Sequence, residues 1–154
     1  MNNKKLLERL YNRNASEVKL GLKNIKYLLK KIGNPESKLK CILVGGTNGK
    51  GSVSTMIYSV LKESGFKVGL YTSPHYKKFN ERIVVDGNMI TDKEVAKYYS
   101  KIEANIKDQS FFEITTAMAY LYFKDRKVDY VILEVGLGGR LDATNVIKPL
   151  VSVI

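Results

Sequence analysis

The segment Gly46-Thr47-Asn48-Gly49-Lys50-Gly51-Ser52 has the residue types that hold a polyphosphate. Glycines let a tight turn expose successive backbone N–H groups, because no Cβ keeps the anion at a distance. A helix beginning at the end of such a turn adds its positive N-terminal end. Lys50 supplies a point charge for the outer phosphates. The spacing departs from the common Gly-x4-Gly-Lys-Ser/Thr pattern: Val44 stands five residues before Gly49, and Gly51 separates Lys50 from Ser52. A glycine turn that merely joins a strand to a helix is the plainer alternative, but it gives Lys50 no task.

Three further segments carry groups suited to such a site. Glu134 ends the apolar run Val131-Ile132-Leu133, at the strand end where a nucleotide-binding sheet places its metal-organising acid. A buried carboxylate without a partner is costly, so a metal or a cation is expected beside it. An N-cap role for Glu134 ahead of a glycine-rich connection is the alternative. The residues after it, Gly136-Leu137-Gly138-Gly139-Arg140, make a second phosphate-sized loop. Ser73, in Thr72-Ser73-Pro74-His75, follows another strand, and its hydroxyl either ligates Mg²⁺ or caps a turn. His75 is the only histidine and reads as a hydrogen-bonded turn residue. Glu113 opens a helix, where the helix dipole alone favours a carboxylate.

These groups need a scaffold that brings strand ends together. Residues 41–44 form a short apolar run of strand length, 52–64 a helix closed by Gly65, and 66–71 the next strand. Strand, glycine loop, helix, strand is a βαβ unit and predicts a parallel sheet whose C-terminal strand ends share one crevice. The helix at 52–64 is expected to bury Val53, Met56, Ile57, Val60 and Leu61. Two amphipathic helices precede the unit. One spans 2–13; the other is capped by Ser16, runs through Leu20, Ile25, Leu28, Leu29 and Ile32, and is stopped by Gly33-Asn34-Pro35. After it, 82–85 begin a hairpin turning at Asp86-Gly87-Asn88. Thr91 with Glu94 forms a capping box for a helix to about Ile106. Further elements are a helix at 112–127, a buried strand at 128–135 and a last strand from Leu150. The sequence stops inside that apolar strand, which predicts a truncated chain.

The net charge of +11 raises the question of a nucleic-acid surface. Residues 1–60 carry 12 Lys/Arg against 3 Asp/Glu, yet only 5 of the 26 basic residues are Arg. Bidentate reading of phosphates and bases favours Arg, so a solvated Lys-rich surface fits better. The single cysteine, Cys41, cannot form an internal disulfide and reads as a buried thiol. No apolar run approaches the roughly 20 residues of a membrane span. Two other function classes stand beside an ATP-dependent enzyme of this type: another P-loop NTPase or kinase, and a non-enzymatic nucleic-acid-binding module. A GTPase would want an Asn-Lys-x-Asp segment, which is absent, and a small kinase an Arg-rich lid.

In order and spacing, residues 46–52, 72–75, Asn80-Glu81-Arg82, Phe112-Glu113 and the twelve residues 134–145 resemble the folylpolyglutamate synthase and dihydrofolate synthase family of the Mur ligase superfamily. The resemblance covers about residues 14–154, and Gly after the loop Lys is that family's own pattern. It implies an α/β fold of P-loop type, a mostly parallel sheet flanked by helices, with 1–35 a helical lead-in and 39–154 the core. It implies ATP and Mg²⁺. Thr47, Asn48, Gly49, Lys50, Gly51 and Ser52 would hold the ATP phosphates; Ser73 and Glu134 would hold the metal; Lys50 and Glu134 would be catalytic. Ser110, Phe111, Phe112, Glu113, Leu141, Asp142 and Ala143 would line the pterin or folate pocket, with Asn14, Ala15 and Ser16 weaker candidates.

The reaction implied is phosphorylation of a folate or dihydropteroate carboxylate, then attack by the glutamate amine. The implied partners are these small molecules, with neither nucleic acid nor membrane, in a cytoplasmic and monomeric intact enzyme. A downstream histidine, a modified lysine and a C-terminal glutamate-binding domain are absent from these 154 residues. The expectation is therefore an inactive fragment whose open sheet edge favours self-association.

Overall fold

The structure is a computed structural model that describes residues 3–12 and 21–154. Two helices lead in. Helix α1 (Asn3–Tyr11) buries Leu6 and Leu10, and α2 (Lys23–Lys31) buries Ile25, Leu28 and Leu29. The expected cap Ser16 and the expected helical Leu20 lie outside the described residues, as do Asn14 and Ala15; Gly21 and Leu22 directly precede α2. The helix stops where predicted: Gly33 and Asn34 both take positive φ, and Pro35 opens a short 3₁₀ turn, Pro35–Lys38.

The sheet is built from β1 (Cys41–Val44), β2 (Val68–Tyr71), β3 (Ile83–Val85), β4 (Asn88–Met89), β5 (Tyr130–Glu134) and β6 (Val151–Val153), in the order β4-β3-β2-β5-β1-β6. The four strands β2, β5, β1 and β6 run parallel, and β3 and β4 form an antiparallel hairpin on one edge. The hairpin turns at Asp86 and Gly87, both at positive φ, as a two-residue connection of this kind requires. Central β5 is sealed on both faces: Val131, Ile132 and Leu133 have no exposed surface. Burial of such side chains contributes about 1.5–3 kcal/mol each, which makes β5 the spine of the fold.

Helices cover both faces. On one side α3 (Lys50–Glu63) packs on β1, β2 and β5; on the other lies α5 (Phe111–Arg126), with α4 (Asp92–Glu103) and the two leading helices around it. Helix α4 carries the expected Thr91/Glu94 capping box and ends three residues before Ile106. Helix α5 has a second box: Ser110 Oγ accepts from the Glu113 N–H, and the Glu113 carboxylate accepts from the Ser110 N–H at 2.8 Å.

The inward face of α3 differs from the expectation. Met56 and Val60 are both 65% exposed, while Ser54 and Tyr58 are buried, with Val53, Ile57 and Leu61 partly buried beside them. The buried stripe is offset by about one residue from the one that hydropathy alone favours, which brings Tyr58 to the hairpin, where its hydroxyl accepts the Gly87 N–H.

Cys41 is fully buried, and burial, with the Glu36 charge next, pushes its thiol up to about 12, so it is inert. Among the described residues no helix is long and apolar enough to cross a membrane. At Gly69 of β2 the sheet comes close against α5: an added Cβ would lie 2.6 Å from Phe123 Cδ1, and Phe123 has no exposed surface. Gly69→Ala is expected to destabilise the chain by about 1–3 kcal/mol. Thermal unfolding should record this as a fall of roughly 3–10 °C in Tm.

Candidate functional site

The parallel strands deliver their C-terminal ends to one edge of the molecule. Val44 of β1 stands in register with Glu134 of β5, and Leu133 with Tyr71 of β2, so the segments after them begin side by side. The turn after β1 uses Gly46 (φ 133) and Gly49 (φ 78), both in the region that favours glycine. Gly49 is the N-cap of α3 and provides no capping side chain, and the first turn of α3 contains no acid. The early N–H groups of this 14-residue helix therefore have no side-chain partner from the cap, as suits an anion site. The helix starts at Lys50, two residues before the predicted Ser52, because a left-handed Gly49 lets it begin there. Lys50, Gly51 and Ser52 thus form its first turn.

Lys50 folds back over its own loop, donating from Nζ to the Gly46 carbonyl at 2.9 Å and to the Thr47 carbonyl at 3.4 Å. A cleft of about 610 Å³ opens between this loop and residues 136–140. Its walls include Gly46, Thr47 and Lys50 on one side and Gly138 and Arg140 on the other, and no Asp or Glu. Two cations and no acid make it suited to anions. Arg140 and Asn145 line this cleft, although the sequence reading did not choose them as site residues. The signal was present in a glycine-rich loop that ends on Arg.

On the other flank of the α3 start, Glu134 is only 5% exposed. Its Oε2 accepts the Ser73 backbone N–H at 2.8 Å, and its Oε1 lies 3.4 Å from where a Cβ on Gly51 would stand. The helix start and the carboxylate thus stand at contact distance. No Lys, Arg or His pairs with Glu134 among the described residues. Ser73, Glu134 and Gly51 are therefore brought together as the sequence suggested, through the Ser73 backbone.

No cluster of three or more His, Cys, Asp or Glu side chains that could hold a metal occurs among the described residues. One carboxylate with hydroxyls and phosphate oxygens is, however, the donor set that Mg²⁺ uses beside a nucleotide. The residues present fit that ion.

The seven pterin or folate candidates lie at the start of α5 and in the second loop, which meet where Phe112 and Asp142 both approach Gly136, and most of them are occupied structurally. Ser110 and Glu113 cap α5 reciprocally, and Glu113 Oε1 is buried with no hydrogen-bond partner. Phe111 is buried against Phe79, with the Arg82 guanidinium 5.4 Å from its ring centroid. Phe112 is half-buried, faces Tyr71 and closes on Gly136. Asp142 is the clamp of the second loop: it accepts the Leu137 N–H at 2.8 Å and the Thr144 N–H at 2.9 Å, and is buried with Ala143. Leu141, at 46% exposure, and Phe112 are the two that offer side-chain surface. His75 is the turn residue expected, accepting on Nδ1 from Arg82 Nε at 2.8 Å; burial first, then the Arg82 charge, lower its pKa.

No family model matches the chain. Individual proteins do. The dihydrofolate synthase/folylpolyglutamate synthase of Bacillus subtilis is 47% identical over 146 residues, which is 89% of this chain and 34% of that protein. The chain is a relative of the folylpolyglutamate and dihydrofolate synthases and matches their N-terminal portion. A crystal structure of the folylpolyglutamate synthase from Thermotoga maritima is similar at a TM-score of 0.90 and 46% identity, over 97% of this chain and 37% of that one. A folylpolyglutamate synthase in complex with AMPPCP and folate is similar at 0.91 and 38% identity, over 99% of this chain and 39% of that one. The sheet and its flanking helices are thus those of the N-terminal domain of a Mur-type folylpolyglutamate synthase. The chain spans about a third of the length of the synthases it matches.

Proposed function

We propose that this chain forms the nucleotide-phosphate and metal part of a cytoplasmic, ATP-dependent ligase that joins L-glutamate to a folate or dihydropteroate carboxylate. The observation that carries this reading is the meeting of Gly51, Ser73 and Glu134 beside the bare start of α3. The relatives supply the substrate class, since one binds an ATP analogue together with folate.

In this reading the N–H groups of the first turn of α3, with Thr47 and Asn48, hold the ATP phosphates. Lys50 leaves the Gly46 and Thr47 carbonyls for the outer phosphate oxygens. Glu134 and Ser73 hold Mg²⁺, which when bound offsets charge on the β- and γ-phosphates. An oxygen of the substrate carboxylate attacks the γ-phosphorus and ADP leaves, giving an acyl phosphate. The glutamate amine then attacks the acyl carbon; phosphate leaves with that carboxylate oxygen, and the amine gives up a proton as the amide forms. Lys50 and the loop N–H groups act by stabilising charge that grows during phosphoryl transfer. The half-buried Phe112 and the exposed Leu141 face the aromatic substrate, while Ser110, Phe111, Glu113, Asp142 and Ala143 shape the pocket behind them.

Dihydropteroate labelled with ¹⁸O in the carboxylate, turned over by a protein containing this sequence, tests the reading. One label per turnover should appear in inorganic phosphate, with ADP as the other product. AMP formation, or phosphate free of label, would overturn it.

A further inference from the structure

The motif Asn80-Glu81-Arg82 has no task in the site described above, yet Glu81 and Arg82 both hold the turn that carries Ser73. The Glu81 carboxylate accepts three consecutive backbone N–H groups: Tyr76 at 2.6 Å, Lys77 at 3.0 Å and Lys78 at 2.8 Å. Those bonds, with Lys78 first and Tyr76 next, hold its carboxyl below the usual range. Arg82 grips the other end of the same turn. Its carbonyl accepts the Thr72 N–H at 3.0 Å, and its Nε donates to His75 Nδ1. The guanidinium is itself fixed over the Phe111 ring, and Arg82 is only 8% exposed. Asn80 ties the motif to the next element, donating to the Ile90 carbonyl and to Asp92. Thr72, His75, Tyr76, Lys77 and Lys78 are thus all held from one side, and Ser73 lies among them with its N–H on Glu134.

We propose that Glu81 and Arg82 are positioning residues that lock the turn at 72–78, so that Ser73 stays against Glu134 and the two face the metal as a preformed pair. The last clause rests on the function proposed above; the lock itself does not. Neither residue touches the reacting groups in this reading. Arg82 acts through His75 by its side chain and through Thr72 by its backbone carbonyl, and Glu81 acts through three backbone amides that no other side chain among the described residues accepts. A carboxylate bonded to backbone N–H groups is a strong local clamp, because charge-assisted hydrogen bonds are about twice as strong as neutral ones.

Amide hydrogen exchange, read residue by residue by NMR on the 154-residue chain without nucleotide, tests the lock. Glu81→Ala should speed exchange at Ser73 at least tenfold, with Val131 and Leu133 of β5 unchanged. Glu81→Gln, which keeps one acceptor oxygen, should restore part of the protection. Unchanged exchange at Ser73 while Tyr76, Lys77 and Lys78 lose protection would overturn the proposal. If Glu81→Ala unfolds the chain, the Gln variant decides by the same comparison. A second measurement concerns the metal: the ratio of ATP affinities with and without Mg²⁺ should fall several-fold in Glu81→Ala. An unchanged ratio with a loosened Ser73 would overturn the link to the metal. Absence of any ATP binding by the unaltered chain would instead count against the proposed function and leave the exchange result standing.

Discussion

Replacing Glu134 with Gln is expected to weaken ATP binding in the presence of Mg²⁺ by about 10–100-fold, while binding in EDTA changes far less. Gln keeps an oxygen to accept the Ser73 N–H and is nearly the size of Glu, so the strand end and the turn should stay in place. What is lost is the negative charge that a divalent ion needs. Interactions with a charged group are worth about 1.5–3 kcal/mol, and about 1.4 kcal/mol corresponds to tenfold in affinity, which sets the range. Metal-free ATP would gain from the change if it gained anything, because a buried carboxylate repels phosphates. Calorimetric titration of both proteins with and without Mg²⁺ reads the contrast directly. A uniform loss under both conditions would mean that Glu134 supports the loop and does not serve the metal.

Gly136→Ala is expected to disturb the second loop more than its size suggests. An added Cβ would lie 2.6 Å from Phe112 Cζ and 3.1 Å from Asp142 Oδ2. The first contact is relieved only if the half-buried Phe112 ring moves from its place beside Tyr71, whose hydroxyl is bonded to Thr115 and Thr116. The second presses on the carboxylate that accepts the Leu137 and Thr144 N–H groups. Overpacking of this kind costs about 1–3 kcal/mol, with the loss of the clamp added to it. The expected outcome is a Tm lower by roughly 5–10 °C, together with weaker folate binding, because Phe112 and Leu141 are displaced together. A variant that unfolds like the parent and binds folate equally would show that the loop yields freely and that Phe112 has no part in the pocket.

The sequence made the glycine loop after β1 legible because its chemistry is local. Glycines at the turn, Lys50 at the helix start and an acid at a strand end are all set by neighbours in the chain, and the structure keeps them where they were expected. The parallel run of β1 and β2 followed from the same βαβ pattern, whereas the insertion of β5 between them did not.

What escaped depended on distant partners. The offset of the buried face of α3, which exposes Met56 and Val60, goes with a bond between Tyr58 and Gly87, in an element that hydropathy does not connect to the helix. The hold of Glu81 on three amides was equally invisible, since an acid in a polar stretch carries no sign of which backbone it faces. The Ser110/Glu113 box is different: it has the spacing that identified Thr91 and Glu94 and was open to the same reading. It also explains why Glu113, expected at the substrate pocket, spends one carboxylate oxygen on a helix cap.

Titration of the 154-residue chain with ATP, first with Mg²⁺ and then in EDTA, tests most directly whether the glycine loop, Ser73 and Glu134 form one metal–nucleotide site. Saturable one-to-one binding with Mg²⁺, weaker by at least tenfold in EDTA, is the predicted result. Saturable binding of equal strength under both conditions, or no binding with Mg²⁺ at millimolar ATP, would contradict it.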